Sequence, residues 1–222
     1  MRHYGNSGNE SAPGDAEVLV LLDRDGVLCK NMPAGMHGLA NFKPVPGLHR
    51  AMQKLGKMGV RVGIITNQPD VSRGLLSVAE LARVNKKVID EAIAAGIRRS
   101  DFTVKVCPHT VEDRCSCRKP KAGLVEQVVG HFRLNPRSLK VYIVGDKFTD
   151  LEALENYYHE TLKPLGISRD RIVTVFLNWR YGEQSEERTY MIVGNRKISQ
   201  DIEARSLYSA VDSIAKREEC RL

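Results

Sequence analysis

Residues 18–28, VLVLLDRDGVL, open with five consecutive apolar residues and then present two carboxylates two positions apart, Asp23 and Asp25, followed by Gly26. An uninterrupted apolar run of this length reads as a strand covered on both faces, the mark of a parallel sheet inside an α/β domain. Such sheets place their ligands at the carboxyl ends of their strands. Alternate residues of an extended segment point the same way, so Asp23 and Asp25 can converge on one metal ion or one phosphoryl group. A calcium loop is excluded. Counted from Asp23, its fifth, sixth and twelfth positions would be Val27, Leu28 and Ala34, where an oxygen ligand, Gly and Glu are needed.

Downstream the pattern alternates. Residues 29–46 hold three Pro and two Gly, a loop beside the strand end that is expected to shape access to the site. Residues 47–58 read as a helix with Leu48, Met52 and Leu55 on one face, ended by Gly59, and residues 60–65 (VRVGII) as a second strand running into TNQPDVSRG. Ser77 and Glu80 have the spacing of a capping box ahead of a stripe of Val78, Leu81, Val84, Val88 and Ala92. Residues 102–106 are expected to form a third strand, 121–133 a helix and 140–144 a fourth strand, with Thr149 and Glu152 as a further capping box. Beyond residue 155 the expected elements are strands at 172–177 and 189–193, separated by a charged loop containing EQSEER, and a helix at 206–216. The alternation implies a Rossmann-like, mostly parallel sheet with helices on both faces. Residues 1–16 read as a disordered lead-in and 17–222 as a single domain, of which 155–222 is the less patterned part.

Composition narrows the function. No stretch approaches the roughly 20 apolar residues of a membrane span, and the polar N-terminus lacks the apolar core of a signal peptide, which points to the cytoplasm. A net charge of +7 suits an anionic substrate. With five Phe and one Trp there is little aromatic surface on which single strands could stack, which argues against nucleic acid as partner. The chain is expected to work as a monomer.

Cys107, His109, Cys115 and Cys117 form a C-x-H…C-x-C pattern, four N/S ligands within eleven residues, enough to close a tetrahedral Zn²⁺ site. With no secretory signal, and with Cys115 and Cys117 too close to pair comfortably, a disulfide fits poorly. A metal with four protein ligands is structural. It would pin this loop and aim Arg118 and Lys119 toward the strand ends.

Four strand ends thus carry Asp23 and Asp25, Thr66 and Asn67, Arg118 and Lys119, and Asp146 and Asp150. In this order the sequence resembles the haloacid dehalogenase-like superfamily of phosphatases over roughly residues 17–154, with DRDGV, the Thr of TNQ, the Lys of CRKPK and GDKFTD matching its four motifs. The resemblance implies the superfamily fold with a minimal cap. It implies Asp23 as nucleophile, forming an aspartyl-phosphate, and Asp25 as general acid and base. Asp23, Asp146 and the backbone carbonyl of Asp25 would hold Mg²⁺, with Asp150 assisting, while Thr66 and Lys119 stabilise the phosphoryl oxygens. A zinc loop ending in CRKPK is similar to that of a small-capped branch comprising heptose bisphosphate and histidinol-phosphate phosphatases. TNQPDVSRG and GDK resemble the heptose members. This implies substrate contacts from Asn67, Gln68, Arg73, Arg118 and Lys147 and a phosphorylated sugar as substrate. Histidinol phosphate and a polynucleotide 3′-phosphate are the alternatives.

Overall fold

The computed structural model describes residues 17–32, 38–178, 190–193 and 196–220. Its first strand, β1 (Glu17–Leu22), extends the expected run by one residue. Helix α1 (Leu48–Met58) follows, then β2 (Arg61–Asn67), α2 (Val78–Ala94), β3 (Phe102–Cys107), α3 (Gly123–Phe132), β4 (Leu139–Gly145), α4 (Phe148–Tyr157) and β5 (Ile172–Leu177). The chain continues through β6 (Tyr190–Val193), β7 (Arg196–Ser199) and β8 (Ile202–Ala204) to α5 (Leu207–Glu219).

Six strands form one sheet in the order β3-β2-β1-β4-β5-β8, and every pairing in it is parallel. β1 lies at the centre, with Leu22 opposite Ile64 of β2 and Val144 of β4. Alternation within β1 sends Val20 and Leu22 to one face, where α1, α2 and α5 pack, and Leu19 and Leu21 to the other, where α3 and α4 pack. All four are fully buried, each worth roughly 1.5–3 kcal/mol of transfer free energy. Helix α3 approaches β2 so closely that a Cβ on Gly63 would lie 2.6 Å from Val128 Cγ1. Among the described residues no helix is long and apolar enough to cross a membrane.

Several local expectations are corrected. Val78 is 71% exposed, so the buried stripe of α2 begins at Leu81. Ser77 does accept the Glu80 N–H, but the Glu80 carboxylate turns to Arg83 and to the Leu39 N–H rather than completing the box. Helix α4 starts before Thr149: Lys147 is its N-cap, and Asp150, not Glu152, reaches back to the Lys147 N–H at 3.2 Å. The strand expected at 189–193 appears as β6, paired antiparallel with β7 in a separate ribbon, and the sheet is instead extended by β8. The lead-in at 1–16, the EQSEER loop and residues 33–37 of the proline-rich loop lie outside the described residues.

Candidate active site

The strand ends meet where the sequence places the motifs. Asp23 directly follows β1, and its N–H donates to Val144 O at 3.0 Å, which keeps it in sheet geometry. Thr66 and Asn67 close β2, Cys107 closes β3, and Asp146 follows β4. Asp23, Asp25, Thr66, Asn67, Gln68, Lys119, Lys147 and Asp150 all line one cavity of about 170 Å³.

Lys119 ties the centre together. Its ammonium, 4% exposed as a residue, stands 2.8 Å from Asp23 Oδ1, 2.6 Å from Asp150 Oδ1 and 2.8 Å from Ile65 O. Burial opposes the charge on Lys119, but Asp150 and Asp23 outweigh it and hold the group above the usual lysine range. Burial likewise drives the Asp23 carboxyl up to about 6, with Lys119 opposing and Asp150 adding. Asp146 is pushed up to about 7, first by burial and then by the Asp23 charge. Its Oδ1 is buried without a hydrogen-bond partner. Three carboxylates, Asp23, Asp146 and Asp150, offer oxygens within 4.8 Å of one another. An orphaned oxygen beside two further carboxylates is a donor set suited to a hard divalent cation.

Gly26 makes room for that arrangement. Its φ is +94°, and a Cβ there would sit 2.0 Å from Asp146 Oδ2, so any side chain would be strained and would displace the carboxylate.

Asp25 occupies a different environment. Burial would raise it, yet the Arg24 charge and hydrogen bonds from Arg24, Gln68 and Cys29 hold it below the usual carboxylate range. Gln68 Nε2 bridges the site, donating to Asp25 Oδ2 at 2.6 Å and to Thr66 Oγ1 at 2.8 Å.

Beside β3 the Cys107, His109, Cys115 and Cys117 ligand atoms converge. His109 Nδ1 lies 3.6 Å from Cys107 Sγ and 3.3 Å from Cys117 Sγ, and Cys115 Sγ lies 3.6 Å from both other sulfurs. The edges of a tetrahedron around zinc are about 3.5–3.8 Å for S and N ligands, so the four groups fit that ion.

Two residues expected to contact substrate lie off the cavity wall. Arg73 is more than half exposed and pairs with Asp70 at 3.2 Å, and neither it nor Arg118 lines the cavity. Arg118 Nη1 donates to His109 O at 3.1 Å and so braces the cysteine loop. The cavity wall also includes Asn31, Met32 and Asp70, which sequence reasoning did not single out, and Thr149, which it took only for a helix cap. The signal available for them was adjacency: each sits within the loop expected to gate the site or inside a motif already identified.

No family model matches the chain. A D-glycero-beta-D-manno-heptose-1,7-bisphosphate 7-phosphatase of Neisseria meningitidis serogroup A is 33% identical over 137 residues, 62% of this chain and 71% of the relative. The chain belongs to the heptose bisphosphate phosphatase family of haloacid dehalogenase-like enzymes. Members of this family are phosphomonoester hydrolases. A Mycobacterium tuberculosis member, named for the alpha rather than the beta anomer, is 32% identical over 138 residues, again 62% of this chain and 71% of the relative. A crystal structure of the D,D-heptose 1,7-bisphosphate phosphatase from B. bronchiseptica, complexed with magnesium and phosphate, shares the fold. It has a TM-score of 0.69 at 22% identity, covering 90% of this chain and 98% of that one.

Proposed function

We propose that the protein removes the 7-phosphate of a D-glycero-D-manno-heptose 1,7-bisphosphate by way of an aspartyl-phosphate on Asp23. The observation that carries the chemistry is the buried Asp23–Lys119–Asp150 triad beside the unpartnered Asp146 oxygen. The names of the sequence relatives support the substrate.

Asp23 attacks phosphorus while Lys119, held beside it, neutralises charge spreading onto the phosphoryl oxygens. The Thr66 hydroxyl, oriented by Gln68, supplies a further hydrogen bond to those oxygens. Asp25 protonates the leaving sugar oxygen and then takes a proton from the water that cleaves the aspartyl-phosphate. The contacts that hold Asp25 below the usual carboxylate range favour its ionised form, the form the second of these roles needs. Mg²⁺, held by Asp23, Asp146 and the Asp25 carbonyl, would add Lewis-acid stabilisation of the transferring group. Zn²⁺ on the three cysteines and His109 would fix the loop that delivers Lys119. Lys147 on the cavity wall and Arg73, held at Asp70, are the cations available to a second phosphate. Arg118, engaged by the His109 carbonyl, is assigned to the zinc loop rather than to substrate.

The test is phosphate release, with Mg²⁺ present, from both anomers of heptose 1,7-bisphosphate and from histidinol phosphate, using wild type and Asp23→Asn. Fast release from a heptose anomer, absent in the variant, is expected. Preference for histidinol phosphate would overturn the roles of Lys147 and Arg73, and no release from any of them would overturn the substrate.

A further inference from the structure

Between the two motif carboxylates lies a residue with no assigned role, Arg24. Alternation along an extended segment turns it away from the cavity that Asp23 and Asp25 face, and it is fully buried at 0% exposure. A guanidinium without solvent costs several kcal/mol unless its donors are met. They are met in a particular way. Nε donates to Asp25 Oδ1 at 3.3 Å and Nη2 to Asp25 Oδ2 at 2.9 Å, a forked contact with the adjacent carboxylate. Nη1 donates to Asn85 Oδ1 at 3.1 Å, on α2, sixty-one residues away in the chain.

Building on the phosphatase reading above, the geometry points to Arg24 as a positioning residue, which couples the Asp25 carboxylate to helix α2 through Asn85 and so fixes where the Asp25 carboxyl group meets the leaving oxygen. Gln68 Nε2 at 2.6 Å and Cys29 Sγ at 3.3 Å complete the clamp, so both Asp25 oxygens are engaged and the carboxylate is held in one orientation. Neither Arg24 nor Asn85 lines the cavity, so both act through Asp25 and not on substrate. A group that must meet a leaving oxygen at hydrogen-bond distance loses much of its effect when it can swing. The planar fork explains an arginine here: a lysine offers one point charge and cannot grip both carboxylate oxygens and Asn85 together.

The experiment measures kcat and KM for wild type, Arg24→Gln, Arg24→Lys and Asn85→Ala on heptose 1,7-bisphosphate, and the p-nitrophenol burst on p-nitrophenyl phosphate. Thermal unfolding and zinc content check that each variant is folded. A sugar alkoxide needs a proton to leave, whereas nitrophenolate leaves without one. Arg24→Gln is therefore expected to lower kcat on the sugar phosphate roughly 10–100-fold with KM nearly unchanged, while the nitrophenol burst rate changes little. Arg24→Lys should recover only part of the loss, and Asn85→Ala should show a smaller loss of the same kind.

Unchanged kcat in folded Arg24→Gln overturns the proposal, as do equal losses on both substrates, which would mark a scaffold defect. Should Arg24→Gln not fold, Asn85→Ala decides: wild-type kcat there overturns the coupling to α2. A wild type that hydrolyses neither ester would overturn the phosphatase reading and this one with it. An active wild type beside an indifferent Arg24→Gln overturns the positioning alone.

Discussion

Asn67 and Lys119 are joined in both directions: Asn67 Nδ2 donates to Lys119 O, and the Lys119 N–H donates to Asn67 Oδ1, each at 3.0 Å. The side-chain amide thus serves the backbone of Lys119 as a neighbouring strand would, and it ties the end of β2 to the end of the cysteine loop. Replacing it by Ala leaves a part-buried donor and acceptor unpaired, a cost of about 1–3 kcal/mol. Asn67→Ala is expected to lower the urea midpoint and to reduce kcat, because the Lys119 ammonium depends on this register. Wild-type stability in urea unfolding would show the pair to be replaceable by solvent.

Lys119 itself neutralises two buried carboxylates at once. Lys119→Met would strand Asp23 and Asp150 without a counter-charge, and breaking a buried pair in this way costs about 3–5 kcal/mol. The double variant Lys119→Met/Asp150→Asn removes one stranded charge and should regain part of the stability. Activity should be lost in both, since the phosphoryl oxygens lose their cation in each case. Chemical denaturation and turnover measured side by side separate the two effects. A double variant no more stable than the single would contradict the electrostatic account.

The cysteine loop has a different dependence. Its described residues between β3 and α3 contain no regular element, and Cys107 and Cys117 are buried against the α3 face of the sheet. A loop of this kind would take its order from an ion shared by its four ligand groups. Cys115→Ser, which removes the half-exposed ligand and spares the core, should abolish stoichiometric zinc in elemental analysis. It should also lower the melting temperature and reduce kcat through displacement of Lys119. Loss of zinc with undiminished kcat would separate the loop from catalysis.

Much of this arrangement was legible in the chain because each motif directly follows an apolar run: residues 18–22 before Asp23, VRVGII before Thr66, FTVKV before Cys107 and KVYIV before Asp146. Period and strand-end position suffice to bring such groups together. What stayed hidden depends on side-chain direction and on pairing at a distance. Arg24 carries no role in the sequence reading, and only the α2 partner at Asn85 and the fork on Asp25 explain its burial. The two bonds that Asn67 makes to the Lys119 backbone join residues fifty-two positions apart, and TNQ carries no sign of them. The three residues of β8 carry too little pattern to be recognised as a strand without β5 beside them. The capping box at Thr149 was displaced because Asp150 satisfies the Lys147 N–H from inside the acidic cluster.

The acidic cluster makes stability depend on pH and on the divalent cation together. Asp23 at about 6 and Asp146 at about 7 both titrate above the ordinary value of 3.8. Between those values the metal-free folded protein binds more protons than the unfolded chain. Stability therefore falls as pH rises through that window and levels off above it. A cation that prefers the ionised carboxylates removes the penalty, and it does so most where they have lost their protons. Magnesium-free protein is accordingly expected to melt lower at about pH 8 than at about pH 5, by roughly 2–4 °C for each kcal/mol involved. Added Mg²⁺ should raise the melting temperature more at the higher pH. Asp146→Asn, which has no charge to desolvate there, should flatten the pH dependence and blunt the Mg²⁺ response. Differential scanning calorimetry at the two pH values, with zinc retained throughout, measures all of these. An equal Mg²⁺ shift at both pH values, or an Asp146→Asn variant with the wild-type slope, would remove Asp146 from the cation site.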